Sequence, residues 1–274
     1  MDAPKPSCRI TGPFPWLQRA GDDRLRVVRV RLPVHPLPRE LDGFTFVHLA
    51  DVHLRKRWEP VLDRALAALR PLEPQLVLFT GDFVDDKLDH RPALPAVRRL
   101  LAELKTRLGT YAVTGNHDGP KLIGHLRHAP VTFINNRRVV VPRVPLELIG
   151  LGGWRARHAR PEFFTRFPLN TPGLLRVVLC HYPFLVREAA FHLRPALYLT
   201  GHTHGGQVCL PGGIPVFTHD LLPRRFCAGL HDWSGTWMNV SRGLGFSHWQ
   251  IRTFCPPELH VFTLVPGVAD GPSG

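Results

Sequence analysis

The chain has 274 residues, 44% hydrophobic and 21% charged, a composition that supplies one hydrophobic core and excludes a disordered or low-complexity protein. Its 35 Lys+Arg against 22 Asp+Glu leave a net charge of +13, which draws it toward anionic partners, although only five of those bases are lysines and the arginine excess beside 28 prolines also reads as composition bias. Five cysteines with no C-x-x-C pair argue against a disulfide framework and for a reducing compartment.

Residues 1–24 carry Pro4, Pro6, Pro13 and Pro15 and are expected to be a poorly ordered lead-in, with Phe14, Trp16 and Leu17 free to dock on the body or on lipid. A single domain over 25–265 and a tail over 266–274 complete the expected organisation. No stretch offers the roughly 7–15 apolar residues of a signal-peptide core or the roughly 20 that cross a bilayer. The expected location is therefore cytoplasmic, with peripheral contact to the anionic inner face of the cytoplasmic membrane.

From Arg26 onward, Val28, Val30 and Leu32 alternate with Arg29 and Arg31, the period of a half-buried strand. Five apolar runs follow, and each stops at a cluster of metal-binding residue types. Phe44 to Ala50 precedes Asp51-Val-His53, Leu76 to Thr80 precedes Gly81-Asp82-Phe-Val-Asp85, and Tyr111 to Thr114 precedes Gly115-Asn116-His117-Asp118. Val177 to Cys180 precedes His181, and Ala196 to Thr200 precedes Gly201-His202-Thr203-His204-Gly205-Gly206. Short apolar runs bounded by turn residues read as buried strands. Between the first two runs, Val61, Leu62, Ala65, Leu66, Leu69 and Leu72 predict an amphipathic helix; Leu94, Val97, Leu101, Leu104 and Leu108, stopped by Gly109, predict a second. Val131 to Gly150, Trp237 to Val240 and Leu259 to Leu264 read as short β-branched strands of a second sheet. The expected fold is α/β, a four-layer α/β/β/α sandwich of two mixed sheets flanked by helices.

In an open α/β sheet, ligands bind beyond the carboxyl ends of the strands, so five loops bearing Asp, Asn and His are expected to meet at one rim. Asp51 and His53, two apart in an extended segment, point to the same face. Seven donors are too many for one tetrahedral ion but suit two divalent ions sharing a carboxylate and a hydroxide, the arrangement that clamps both oxygens of a phosphoryl displacement. Imidazole and carboxylate accept Mn, Fe, Zn or Co, with Mn2+ the expected pair.

The ordered set D-x-H, G-D-x-x-D, G-N-H-D, a lone H and G-H-x-H, spanning residues 51 to 206, resembles the calcineurin-like metallophosphoesterase superfamily. The resemblance implies that Asp51, His53, Asp82 and His204 hold one ion, and that Asp82, Asn116, His181 and His202 hold the other. It implies that His117 stabilises charge at the phosphate or protonates the leaving oxygen, oriented by the Asp85 carboxylate. G-H-T-H-G-G-Q (Gly201 to Gln207), Pro211, Ser241-Arg-Gly-Leu-Gly245 and Pro257-Glu258 are similar to a bacterial branch of membrane-associated phosphodiesterases, some of which cleave the pyrophosphate of a lipid-linked nucleotide sugar. The expected activity is hydrolysis of a phosphodiester or pyrophosphate, with a lipid-linked substrate as the finer reading and nucleic acid outside it. Alternatives are a phosphomonoesterase or phosphoprotein phosphatase, a nuclease, or a binding module that has lost activity, which gaps in the ligand set would mark.

His48, His90, His125, His128, His158, His219, His231 and His260 fall outside the ordered set and are expected to be structural or surface residues. Arg55, Lys56 and Arg57 are either phosphate contacts or a solvated loop. Trp154 with Arg155 and Arg157, and Arg224 with Arg225, read as surface.

Overall fold

The computed structural model describes residues 5–153, 161–169 and 171–268, and each of the five apolar runs that precede the ligand-type clusters is a strand in it. In chain order the elements are β1 (Ser7–Thr11), β2 (Leu17–Arg19), β3 (Arg26–Val34), β4 (Thr45–Leu49), α1 (Pro60–Leu69), β5 (Leu76–Phe79), α2 (Leu94–Glu103), β6 (Thr110–Ala112), α3 (Pro120–His125) and β7 (Thr132–Phe133). The second half adds β8 (Arg137–Val140), β9 (Leu146–Leu151), α4 (Pro161–Thr165), β10 (Leu175–Cys180), α5 (Val186–Leu193) and β11 (Leu197–Thr200). It closes with β12 (Cys209–Leu210), β13 (Ile214–Pro215), β14 (Gly229–Trp233), β15 (Thr236–Val240), β16 (Ile251–Thr253) and β17 (Glu258–Pro266).

Pro60 starts α1 at a position that lacks an amide obligation, and the helix buries Val61, Leu62, Ala65, Leu66 and Leu69 on one face. It gives way to a 3-10 turn at Arg70–Leu72 because Pro71 cannot continue the amide ladder. The second helix ends five residues before the expected Leu108. There the Leu108 amide is taken by the Gln75 carbonyl, which steers the chain into β6.

Seven strands form one sheet in the order β1-β3-β17-β4-β5-β6-β7, and six form another in the order β14-β15-β11-β10-β9-β8. Both are mixed. The run β4 to β7 is parallel, as is β9-β10-β11-β15; β17 runs antiparallel to β4, β1 to β3, β14 to β15 and β8 to β9. Leu32, Phe46, Leu78, Leu148, Val177 and Leu199 are among the side chains buried between the sheets. The outer face of the first sheet is covered by α1 and α2, and that of the second by α4 and α5 through Phe164, Val186 and Leu193. The expected four layers are present.

Two expectations about strands are corrected. Thr132–Phe133, at the start of the Val131 to Gly150 stretch, and Leu259 to Leu264 lie in the first sheet, not the second: β7 pairs with β6, and β17 sits between β3 and β4, with Phe262 stacked on Phe46 at 5.1 Å. β17 is buried on both faces, Leu259 and Val261 toward the helices and Phe262 and Leu264 toward the other sheet, a pattern that composition does not assign to either sheet. Part of the lead-in over 1–24 is paired. Residues Ser7–Thr11 run antiparallel to Val27–Arg31, and Leu17–Arg19 pairs with Ile251–Thr253, because the edges of β3 and β16 otherwise leave bare amides and carbonyls. Trp154, Arg155, Arg157, His158 and the end of the expected tail lie outside the described residues. Among the described residues, no helix is long and apolar enough to cross a membrane.

Candidate metal centre

The strands β4, β5, β6, β10 and β11 end at a common rim, and the loops leaving them bring all seven predicted donors together. The backbone is bent to do this. Asp51, His53, Asp82, His202 and His204 all have positive φ, between 42° and 71°, a region that costs a non-glycine residue about 1–3 kcal/mol. Glycines make room beside them: a Cβ at Gly115 would overlap the Asp82 carboxylate, and one at Gly201 the Asp51 carboxylate.

The donors fall into two groups that share one oxygen. In the first, His53 Nε2 lies 3.0 Å from His204 Nε2 and 3.4 Å from Asp82 Oδ2, and His204 Nε2 lies 3.7 Å from Asp51 Oδ1. In the second, His181 Nε2 lies 3.3 Å from the same Asp82 Oδ2, 3.0 Å from Asn116 Oδ1 and 3.1 Å from His202 Nδ1. The triads Asp51-His53-His204 and Asp51-Asp82-His181 each keep their ligand atoms within 4.8 Å.

These residues fit divalent ions on the chemistry of their lone pairs. His181 donates from Nδ1 to the Thr80 carbonyl at 2.9 Å, so its neutral form presents a lone pair at Nε2, and the atoms facing it are acceptors or potential acceptors as well. One proton satisfies one such pair, whereas a cation satisfies all of them. The electrostatics agree. Burial opposes charge on His181, yet Asp82 and Asp51 push it up to about 9, so without an ion a proton takes the place that a cation would hold among these carboxylates. Burial likewise would raise Asp82, but His181 and His53 hold it well below the usual carboxylate range, while burial raises Asp51 to about 6. Burial, then His53 and Arg252, keep His204 well below the ordinary histidine value, in the neutral form a metal requires.

His117 stands at the edge of the cluster, its ring 4.6 Å from that of His53. Its Nδ1 donates to the main-chain carbonyl of Asp85 at 2.6 Å, which leaves Nε2 for a substrate, and burial pushes it down to about 4. This corrects the expected role of Asp85. Its carboxylate faces His53 Nδ1 at 3.3 Å and Arg55 at 2.8 Å, so the Asp85 backbone, not its side chain, orients His117. Arg55 is thereby an ion-pair partner.

Sequence reasoning missed Asp118. It is buried, and its carboxylate accepts the amides of Asp82 at 2.7 Å, Phe83 at 2.8 Å and Gly115 at 3.0 Å, which ties two ligand loops together. Burial and the Asp82 charge push it up to about 7 against the pull of those amides. Its place beside Asn116 and His117 was the available signal. Arg252 was also missed; it is buried, with Nη2 3.3 Å from His204 Nδ1 and Nε donating to the Gly245 carbonyl at 3.0 Å. Of the histidines set aside, His48 is buried against Thr80 and Asn239, whereas His219 is exposed and lines the pocket in front of the cluster. That pocket has a volume of about 240 Å³ and is also lined by Lys87, Phe217 and Trp249.

Residues 44–206 match the calcineurin-like phosphoesterase family. Over 239 residues the chain is 31% identical to phosphodiesterase YaeI of Escherichia coli, covering 81% of this chain and 82% of that one. It is 26% identical to the uncharacterized metallophosphoesterase YkuE of Bacillus subtilis, covering 83% and 81%. It is 23% identical to UDP-2,3-diacylglucosamine pyrophosphatase LpxG of Chlamydia trachomatis, covering 89% and 90%.

Proposed function

The chain belongs to the calcineurin-like phosphoesterase family, and from this premise we propose a division of labour among its residues and a substrate. It is a metal-dependent phosphoesterase of the phosphodiesterase and pyrophosphatase kind. Asp51, His53, Asp82 and His204 hold one divalent ion, and Asp82, Asn116, His181 and His202 a second. The observation that carries this assignment is the shared oxygen, Asp82 Oδ2, at 3.4 Å from His53 Nε2 and 3.3 Å from His181 Nε2. Bound there, two ions supply a water acidic enough to give up its proton near neutral pH and a clamp on the phosphoryl oxygens.

The protein's own groups do the rest. His117, fixed through Nδ1, turns Nε2 toward the phosphate, and a proton drawn onto Nε2 by the negative charge of a bound substrate is the one it passes to the leaving oxygen. Lys87 adds a positive charge to the wall of the same pocket. Mn2+ is the proposed metal, on the imidazole and carboxylate donors and the lack of thiolate among them. The proposed substrate is lipid-linked and met on the anionic inner face of the cytoplasmic membrane. The similarity to a UDP-2,3-diacylglucosamine pyrophosphatase and the net charge of +13 support that choice.

The test is hydrolysis of bis-p-nitrophenyl phosphate beside p-nitrophenyl phosphate, with Mn2+ and after chelation. The diester turns over at least roughly tenfold faster, a barrier difference of about 1.4 kcal/mol, and both activities disappear with the metal. Preference for the monoester contradicts the diesterase reading, and activity that survives chelation contradicts the metal centre.

A further inference from the structure

We propose that Phe217 and Trp249, anchored by Gln207, form a recognition wall for an apolar group esterified next to the scissile phosphate. The proposal rests on the phosphoesterase reading of the metal centre and names the part of the substrate that its pocket selects.

Both aromatic residues line the same pocket as Asp82, Asn116 and His117. Their rings meet edge to face with centroids 6.3 Å apart, yet Phe217 is 51% and Trp249 54% exposed. Half-bare aromatic surface beside a charged cluster is where an apolar ligand is taken out of water. Two residues before Phe217 the β12–β13 hairpin ends; on it Leu210 and Ile214 pair and are 55% and 53% exposed. A phosphate seated at the metals therefore has half-exposed aromatic surface beside it in the same pocket.

The wall is fixed relative to the metals, which is what a specificity device requires. Gln207 follows His204 by three residues, is 6% exposed and has φ of 53°. Its side-chain amide donates to the carbonyls of Ser247 and Trp249, both at 2.8 Å, and accepts the Ser247 amide at 2.9 Å. Its main-chain N–H donates to the His204 carbonyl at 3.0 Å. One buried side chain thus joins the loop bearing Trp249 to the loop bearing two metal ligands. On the other side, Gly206 at φ of 87° lets the Phe217 segment lie directly on the same loop: a Cβ there would meet the Phe217 carbonyl oxygen at 2.9 Å. A positioning role for Gln207 follows, with Phe217 and Trp249 as the surface it presents.

An alkyl chain and a flat aromatic group share the apolar chemistry that this wall recognises, and the experiment separates them. It measures kcat/KM with Mn2+ for p-nitrophenyl phosphodiesters whose second ester is methyl, hexyl, octyl or phenyl, below their micelle concentrations. Wild type gains at least about tenfold from methyl to octyl, less than full burial of each methylene implies, because a wall covers one side of the chain. A larger gain for phenyl than for hexyl identifies a flat occupant, and the reverse an alkyl one. Phe217→Ala, Trp249→Ala and Gln207→Ala each lower the octyl-to-methyl ratio at least about fivefold, part of the wild-type gain. Phe191→Ser removes an apolar side chain that is 74% exposed elsewhere and keeps the ratio. Should Trp249→Ala not fold, Trp249→Phe gives an intermediate ratio. Metal-dependent hydrolysis with no preference among the esters, or variants that retain the wild-type ratio, overturns the wall and leaves the phosphoesterase reading intact. Absence of metal-dependent hydrolysis of every ester overturns both.

Discussion

Asp118 is the side chain whose removal separates the scaffold of the site from its ligands. Its carboxylate closes three short bonds to buried amides, those of Asp82, Phe83 and Gly115. Leaving a buried donor unsatisfied costs about 1–3 kcal/mol, so Asp118→Ala exposes the fold to about 3–9 kcal/mol before any water enters the space. With partial refilling, about 4 kcal/mol is expected, a large part of the 5–15 kcal/mol typical of a domain. Asp118→Asn keeps one acceptor oxygen and turns an NH2 toward an amide that needs an acceptor, a loss of about 2 kcal/mol. Urea unfolding at constant m reads both numbers. Turnover of bis-p-nitrophenyl phosphate falls alongside, because the Asp82 backbone loses its anchor. An Asp118→Asn protein within about 0.5 kcal/mol of wild type, the range of ordinary surface changes, and with wild-type turnover refutes the reasoning.

His117→Asn retains both metals and lowers kcat by about 10²–10⁴, the usual share of a positioned proton donor; loss of metal on elemental analysis counts against the role given to its ring. Gly201→Ala drives a Cβ into the Asp51 carboxylate, so turnover falls about 100-fold, as misplacements near 1 Å do, and a wild-type rate shows that the loop has slack. Glu147 is buried between Arg176 and Arg138, across from Arg176 on the neighbouring strand. Glu147→Gln leaves the buried guanidinium uncompensated and costs about 3 kcal/mol in thermal or urea unfolding. Burial opposes its charge, but hydrogen bonds from Arg176 and Arg138 hold its carboxyl below the ordinary glutamate value. The wild-type advantage over Glu147→Gln is therefore full above that value and disappears as pH falls through the lowered one. An advantage that grows in acid contradicts the pairing.

The gathering of these donor side chains was legible in the sequence because each donor-bearing loop directly follows an apolar run, as at Ala50-Asp51 and Thr200-Gly201-His202. What stayed hidden depends on the partner more than on the residue. Asp118 reads as a turn aspartate until the amides of Asp82 and Phe83, 36 and 35 residues away, are seen to point at it. For Asp85 the sequence names a carboxylate and cannot say that its carbonyl does the orienting. Leu259 to Leu264 has the apolar texture of either sheet, and its place between β3 and β4 is settled by pairing. Ser7–Thr11 is wholly exposed and has no apolar period to announce it; only the open edge of β3 makes it a strand. Gln207, Phe217 and Trp249 lie on irregular segments, where no periodic pattern marks a wall.

The most direct measurement is the metal content of the protein after reconstitution with Mn2+ and removal of free ion. Two ions per wild-type chain, and fewer than one in Asp82→Asn with turnover nearly abolished, is the result this arrangement of side chains predicts. Two ions and full turnover in Asp82→Asn, or none in the wild-type chain, contradicts it.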